Sequence, residues 1–189
     1  MINSGIVDSL LKILSTWELD QITQPYIKAF FRFTYPSCFE IIQQLHQKQS
    51  LPTLLRLLNH KDEDVISDSI VSVNNIIYYG AIGTNSTSLH PYYQEIAQIG
   101  GIEKIFEQFR RTKHEDTKNI SATCLGIVFR AREMTDNEMK VEIISHLKSI
   151  INHQREDIRK VVKLALKCLA QNQANRSEIV KDGFVVPDD

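Results

Sequence analysis

Histidines, cysteines and carboxylates are the side chains in this sequence that could bind a metal ion or carry acid–base chemistry. A zinc site or a catalytic site needs them at short, defined spacings. The six histidines are His46, His60, His90, His114, His146 and His153. None of them stands at ligand spacing from a cysteine or a carboxylate, and the chain has no paired-cysteine motif. We therefore predict no metal site, no cofactor and no catalytic residue.

The acidic pairs have a structural explanation. Asp62 with Asp64, and Glu115 with Asp116, come directly before predicted long helices, where negative charge stabilises the positive end of the helix. The sequence contains no phosphate-binding glycine loop and no nucleophile elbow. We expect a protein that is not an enzyme. The remaining enzymatic alternative is a helical regulatory domain of a larger enzyme whose catalytic region lies outside this chain.

Composition limits the classes of partner. The 189 residues include 22 basic and 23 acidic side chains, which give a net charge of -1. A chain this close to neutral lacks the field that attracts nucleic acid or anionic lipid. No apolar run approaches the roughly 18 residues of a membrane span. We therefore expect neither a nucleic-acid partner nor a membrane.

The cysteines indicate the compartment. Cys38, Cys124 and Cys168 are odd in number and lie within apolar helical patterns. This usage favours reduced, buried thiols over a disulfide framework. We expect a cytoplasmic protein, with the nucleus as the alternative.

Apolar residues recur at spacings of three and four along nearly the whole chain, which predicts an all-α fold. Glycines and prolines fall between these periodic segments. The predicted helices are 6–14, 21–33, 37–47, 51–59, 63–79, 91–99, 101–111, 116–132, 136–152, 155–171 and 175–181.

The longer helices repeat one another. When the chain is aligned on Ile22, Val65, Thr117 and Ile158, the positions seven residues later are all small. They are Ala29, Ser72, Cys124 and Ala165. The positions eight and eleven residues later are all apolar, so these offsets form one core face. The alignment points lie 43, 52 and 41 residues apart, and two of these spacings match the roughly 40 to 47 residues of helical solenoid repeats.

A second set of helices opens with a glycine followed by an apolar residue. This opening recurs at Gly5-Ile6, Gly100-Gly101-Ile102 and Gly183-Phe184. In these features most of the chain resembles the armadillo repeat family. The resemblance implies an all-α, right-handed α-α superhelix, an armadillo-like solenoid of about four repeats.

We expect residues 1–189 to form a single armadillo-like repeat domain. The predicted repeats are about 1–35, 36–80, 91–132 and 136–172, and a further repeat starts at 175–189. A Gly-, Ser- and Asn-rich insertion over 80–90 lengthens one spacing, and its composition predicts a mobile loop. No polar capping helix is evident at either end, so we expect a part of a longer solenoid. The alternative is self-stacking of the chain through its uncapped ends.

The resemblance also implies a function, because the third helices of armadillo repeats line a concave groove that holds a partner. The residues six, ten and thirteen positions beyond the alignment points should face that groove. The predicted binding residues are Lys28, Arg32, Val71, Asn75, Tyr78, Thr123, Ile127 and Arg130. The nuclear-import adaptors of the family repeat a Trp and an Asn in two of these columns, and only Asn75 matches that pattern.

We therefore predict a non-catalytic scaffold that binds a protein or peptide partner, as an extended or helical segment, in its concave groove. The cations and apolar groups among the predicted residues favour a partner with acidic and apolar side chains. The alternative from a different class is a structural solenoid segment that stacks end to end in a larger assembly.

Overall fold

A computed structural model describes residues 5–187, and within that range every regular element is helical. The helices are α1 (Ile6–Thr16), α2 (Gln24–Thr34), α3 (Phe39–Gln47), α4 (Ser50–Arg56), α5 (Glu63–Ile82), α6 (Tyr93–Gln98), α7 (Gly101–Arg111), α8 (Glu115–Val128), α9 (Asn137–Ser149), α10 (Glu156–Ala170) and α11 (Gln173–Ile179). Each corresponds to a helix predicted from the periodicity, and the ends differ by a few residues. No helix within residues 5–187 is long and apolar enough to cross a membrane.

Two kinds of helix start recur along the chain. The helices α1, α4 and α7 each follow a residue with a left-handed backbone, namely Gly5, Gln49 and Gly100. Glycine adopts this conformation without strain, which explains the glycine openings seen in the sequence. The helices α5 and α9 are instead preceded by aspartates, Asp62 and Asp136. The side chains of these aspartates accept hydrogen bonds from backbone N–H groups in the first turn of the helix.

Three histidines act as turn residues, each accepting a backbone N–H two residues further along the chain. His60 Nδ1 accepts from Asp62 N at 2.9 Å, and His153 Nδ1 accepts from Arg155 N at 3.1 Å. His90 Nδ1 accepts from Tyr92 N at 3.2 Å. These three histidines therefore have a structural role in the turns that precede helices.

The helices form two rows with the core between them. In one row α2, α5, α8 and α10 pack side by side in chain order. The other row contains α1, α4 and α7, followed by α9, whose His146 meets Phe109 of α7 with ring centroids 5.2 Å apart. The short helices α3 and α11 pack against members of both rows, and the short helix α6 packs against α7. This arrangement leaves the outer side of the first row free to form a surface.

Of the four small residues that lie seven positions beyond the alignment points, three are buried. Ser72, Cys124 and Ala165 are fully buried, as expected for positions where neighbouring helices cross closely. Ala29 is exposed instead, because α2 is the first described helix of its row and no described helix packs on that side.

One cysteine departs from the prediction. Cys124 and Cys168 are buried, whereas Cys38 is exposed at the start of α3. The apolar pattern around Cys38 belongs to neighbouring residues of α3, such as Ile42 and Leu45, that are fully buried.

Candidate functional site

A concave groove of about 390 Å³ runs across the outer side of α2, α5, α8 and α10. Each of the four helices, or the turn that adjoins it, contributes lining residues. They are Phe31, Tyr35, Ser67, Val71, Asn74, Asn75, Asp116, Asn119, Ile120, Thr123, Arg155, Asp157, Ile158 and Val161. The groove therefore crosses the row of helices instead of following any one of them.

Apolar side chains line the groove on all four of its helices. At the α2 end, Phe31 stacks on Tyr35 with ring centroids 5.9 Å apart, and Tyr35 is 60% exposed. Val71, Ile120 and Val161 continue this lining across α5, α8 and α10. Exposed aromatic and aliphatic groups in a concave surface favour binding of apolar side chains.

Asparagine amides stand among these apolar groups. Asn119 is 1% exposed, and its Oδ1 accepts from His146 Nε2 at 2.8 Å. Its Nδ2 has no hydrogen-bond partner within residues 5–187. Asn75 Nδ2 donates to Thr34 Oγ1 over 3.5 Å, which is a long bond. A buried donor without an acceptor is costly, so the Asn119 amide favours a carbonyl oxygen supplied from outside the chain.

Three charged side chains meet at the α8–α10 end of the groove. Arg155 donates to Asp157 Oδ2 at 2.8 Å and to Asp116 Oδ2 at 3.2 Å. The hydrogen bond to Asp157 raises the pKa of Arg155, and the same bond lowers the pKa of Asp157. Two carboxylates therefore share one guanidinium, and this end of the groove keeps a negative charge.

The acidic character extends along one edge of the groove. A second depression, of about 380 Å³, lies between the first turns of α5 and α8, and Glu63, Asp64, Glu115 and Asp116 line it. These carboxylates complement the helix N-termini. They also make this edge suited to a cationic side chain.

Three of the eight predicted binding residues line the groove. Val71, Asn75 and Thr123 lie there together, although Thr123 is only 3% exposed and donates its hydroxyl to Ile120 O at 2.9 Å.

Three further predicted residues are accessible but lie outside the groove lining. Lys28 and Arg32 are exposed on α2. Tyr78 is half-buried, with its ring edge against Tyr79 at a centroid distance of 5.5 Å.

The prediction that Ile127 and Arg130 face the groove was wrong, because both are buried. Ile127 has no exposed surface, and Arg130 is 2% exposed. The Arg130 guanidinium points into the insertion that follows α5, where Nε donates to Ser88 O and Nη1 donates to Ala81 O, each at 2.7 Å. The insertion folds over the end of α8 and removes Arg130 from the surface.

The insertion itself also differs from the prediction. Its composition predicts a mobile loop, yet Arg130 anchors it through five hydrogen bonds to residues of 81–89. The composition of residues 80–90 gives no sign of this anchor, because Arg130 lies far from them in the sequence.

Sequence reasoning missed Phe31, Asn119, Asp116 and Arg155 as groove residues. Asn119 lies one helical turn before Thr123, so it shares a face with a column that was identified. Extending that column by one turn would have found it. Phe31 lies one turn before Tyr35, which is thirteen residues beyond Ile22, so the same extension would have found it. Arg155 has no such signal, because it precedes α10.

Within residues 5–187, no three His, Cys, Asp or Glu side chains come together in a group that could hold a metal ion.

Comparison with solved structures identifies the fold. A designed armadillo repeat protein in complex with the peptide (KR)4 matches with a TM-score of 0.62 and 17% identity, over 96% of this chain and 72% of its own. Computationally designed armadillo repeat proteins for modular peptide recognition match with a TM-score of 0.58 and 19% identity, over 88% of this chain and 66% of theirs. A further designed armadillo repeat protein matches with a TM-score of 0.59 and 16% identity, over 94% of this chain and 70% of its own. The chain has an armadillo-like repeat fold, and identities this low carry no further conclusion.

No protein-family model matches the sequence, and no curated protein matches it significantly.

Proposed function

We propose that this chain is a non-catalytic protein–protein interaction scaffold, and that it holds an extended or helical partner segment in the concave groove. The observation that carries this proposal is the buried, unpartnered Nδ2 of Asn119 beside a groove lined by Phe31, Val71 and Val161. An amide donor among apolar walls suits a polypeptide, which supplies a backbone carbonyl and side chains together.

The charges favour a partner with basic and apolar side chains. The expectation of an acidic partner rested partly on Arg130, which is buried. The groove instead carries Asp116 and Asp157 at one end, and Glu63 and Asp64 lie along its edge. One of the structurally similar designed proteins is in complex with a basic peptide, (KR)4, but it is the acidic residues of this groove that carry the expectation.

We place the protein in a reducing compartment, the cytoplasm or the nucleus. Its three cysteines are free, and Cys124 and Cys168 are enclosed in the core. Thiols in this state are typical of proteins that are not exposed to an oxidising environment.

Selection from a library of displayed random peptides tests the proposal. Selected peptides should bind the chain and should lose affinity by at least about tenfold for Val161→Arg, which places a large cation in the groove. The matched control is Val141→Arg, because Val141 is 38% exposed on α9, outside the groove lining. Circular dichroism should show both variants folded. If the library yields no peptide, or if both variants bind equally well, the groove is not the binding site.

A further inference from the structure

Arg155 is the one cation among the described residues that line the groove. Its Nη1 donates to Asp116 Oδ2 of α8 at 3.2 Å, and its Nη2 donates to Asp157 Oδ2 of α10 at 2.8 Å. All three side chains are more than half exposed, at 55% for Arg155, 61% for Asp116 and 67% for Asp157. The guanidinium therefore joins two helices in a part of the groove that is open to solvent.

The two ion pairs of Arg155 differ in strength. Asp157 lies two residues further along the chain and accepts a second hydrogen bond, from Arg155 Nε at 3.4 Å. Asp116 accepts only the longer bond at 3.2 Å, and it lies 39 residues away on another helix. Exposed ion pairs contribute little to stability, because solvent screens the charges and both side chains must be ordered. Asp116 can therefore exchange Arg155 for another cation while Asp157 retains it.

A second polar group beside Asp116 lacks a partner. Asn119 lies three residues after Asp116 on α8, so the two side chains are neighbours on one face of the helix. Asn119 is 1% exposed and lines the groove, and its Nδ2 has no acceptor within the part of the chain that the structure describes. Asp116 and Asn119 together present an acceptor for a cation and a donor for a carbonyl oxygen. One lysine or arginine residue of a polypeptide supplies both groups.

The surroundings of Asp116 favour a cation. Asp116 lines both depressions, and the second depression also carries Glu63, Asp64 and Glu115. Arg155 is thus a single guanidinium at the border of a region in which carboxylates outnumber it. A second cation brought to Asp116 would meet net negative charge even with Arg155 still bound to Asp157.

We propose that Arg155 occupies the position of a partner's cation, and that a lysine or arginine of the bound segment replaces it at Asp116. The inference rests on the proposed function, because it concerns the same groove. In the free chain Arg155 shields Asp116 and weakens the attraction for a basic segment. On binding, Arg155 keeps its bonds to Asp157, the partner's cation takes Asp116, and the Asn119 amide donates to the partner's backbone. Arg155 is thus a specificity-determining residue that limits how strongly the groove prefers basic segments.

Isothermal titration calorimetry with peptides selected from the displayed library tests this inference on the full chain. Arg155→Gln should bind a peptide that contains lysine or arginine about threefold more tightly than the wild type, because the competing cation is gone. Arg110→Gln is the matched control, since Arg110 is also an exposed arginine held by two carboxylates, Glu138 and Glu142, on α7 outside the groove lining. At physiological ionic strength its charge is screened from the groove, so this variant should bind like the wild type.

Replacing each cation of the peptide by glutamine in turn locates the contact. For one of these cations, the replacement should weaken binding to the wild type by about threefold, and it should weaken binding to Arg155→Gln further. The same replacement should have little effect on Asp116→Asn, in which the carboxylate is gone. Circular dichroism should show all these variants folded, because the replaced side chains are exposed.

Equal or lower affinity of Arg155→Gln compared with the wild type overturns the inference, and so does an equal gain in Arg110→Gln. Selected peptides without lysine or arginine overturn it, as does a peptide in which every cation matters as much to Asp116→Asn as to the wild type. In each of these cases, binding that is lost in Val161→Arg still supports the proposed function. A chain that binds no peptide overturns both.

Discussion

Arg130 Nε donates to the Ser88 carbonyl at 2.7 Å and joins the end of α8 to a loop that lies 42 residues earlier in the chain. Other nitrogens of the same guanidinium reach Ala81 O and Thr84 Oγ1, both at 2.7 Å. Burial lowers the pKa of Arg130. The side chain is a buried cation held by carbonyl and hydroxyl oxygens, which makes it a structural residue of the insertion.

Replacing Arg130 should therefore destabilise the protein. Arg130→Ala leaves the carbonyls of Ala81 and Ser88 without their donor, and the free energy of unfolding should fall by about 3 kcal/mol or more. Arg130→Lys should restore little, because an ammonium group cannot span acceptors held by a planar guanidinium. Urea denaturation measures both changes.

The matched control for this prediction is Arg32→Ala. Arg32 is exposed on α2, so its removal should change the free energy of unfolding by no more than about 0.5 kcal/mol. Equal stability of the two alanine variants would contradict the anchoring role of Arg130.

Stability should fall as the pH is lowered from 6.5 towards 4, partly because of His90. Burial lowers the pKa of His90 to about 4, and the nearby Arg130 cation acts in the same direction. Between the unfolded and folded pKa values the unfolded chain binds more protons, so the free energy of unfolding decreases as the pH falls. At about 1.4 kcal/mol for each unit of pKa shift, the loss at pH 4 is on the order of 3 kcal/mol.

His90→Gln isolates this contribution. The variant should be less stable at pH 7, because His90 bonds to Ile77 O and to Tyr92 N. Its stability should nevertheless change less steeply between pH 6.5 and pH 5. Some dependence should remain, because burial also lowers the pKa of His146. An unchanged slope in His90→Gln would assign the effect to other groups.

The contact of α8 with α10 should not tolerate a larger residue at Gly126. A Cβ atom at Gly126 would lie 2.7 Å from Ala165 Cβ, so Gly126→Ala should cost about 1–3 kcal/mol of unfolding free energy despite the better helix propensity of alanine. Combining it with Ala165→Gly returns the space. The double variant should then be more stable than the sum of the single effects by about 1 kcal/mol. Strict additivity in this cycle would mean that the two helices do not cross at these residues.

The cysteines should differ in reactivity. Burial raises the pKa of Cys124, and burial raises the pKa of Cys168 to about 11. Cys38 is exposed. A thiol reagent at neutral pH should therefore modify one cysteine in the folded chain and all three in urea. Mass spectrometry should place the native modification on Cys38, and early modification of Cys168 would contradict the packing of α10.

Particular residues show what could be predicted from the sequence. The helices and the burial of Ser72, Cys124 and Ala165 follow from local periodicity, which the chain repeats several times. The accessibility of Ala29 and Arg130 does not follow from it, because periodicity identifies a face but not what covers that face. A described neighbour is missing beside Ala29, and an insertion covers Arg130.

Some of the residues that line the groove could also be predicted from the sequence, and others could not. Val71 and Asn75 were found because they lie six and ten residues beyond Val65, positions that the resemblance to armadillo repeats implies for a groove. Arg155 was missed because it precedes α10, where helical spacing does not apply. Asp116 lies in the first turn of α8 and was missed because its charge was explained by the positive end of the helix. Our proposal of a basic partner, in place of the acidic one expected from the sequence, follows from the burial of Arg130 and from the position of Asp116 in the groove.

The proposed groove is tested most directly by NMR titration of the chain with a peptide selected from the displayed library. The side-chain amide resonances of Asn119 and the methyl resonances of Val71 and Val161 should shift with the bound fraction. Those of Val141, on α9, should stay in place. Shifts confined to α9 or to the short helices α3 and α6, with the Asn119 amide unchanged, would contradict the proposal that a partner lies across the row of helices.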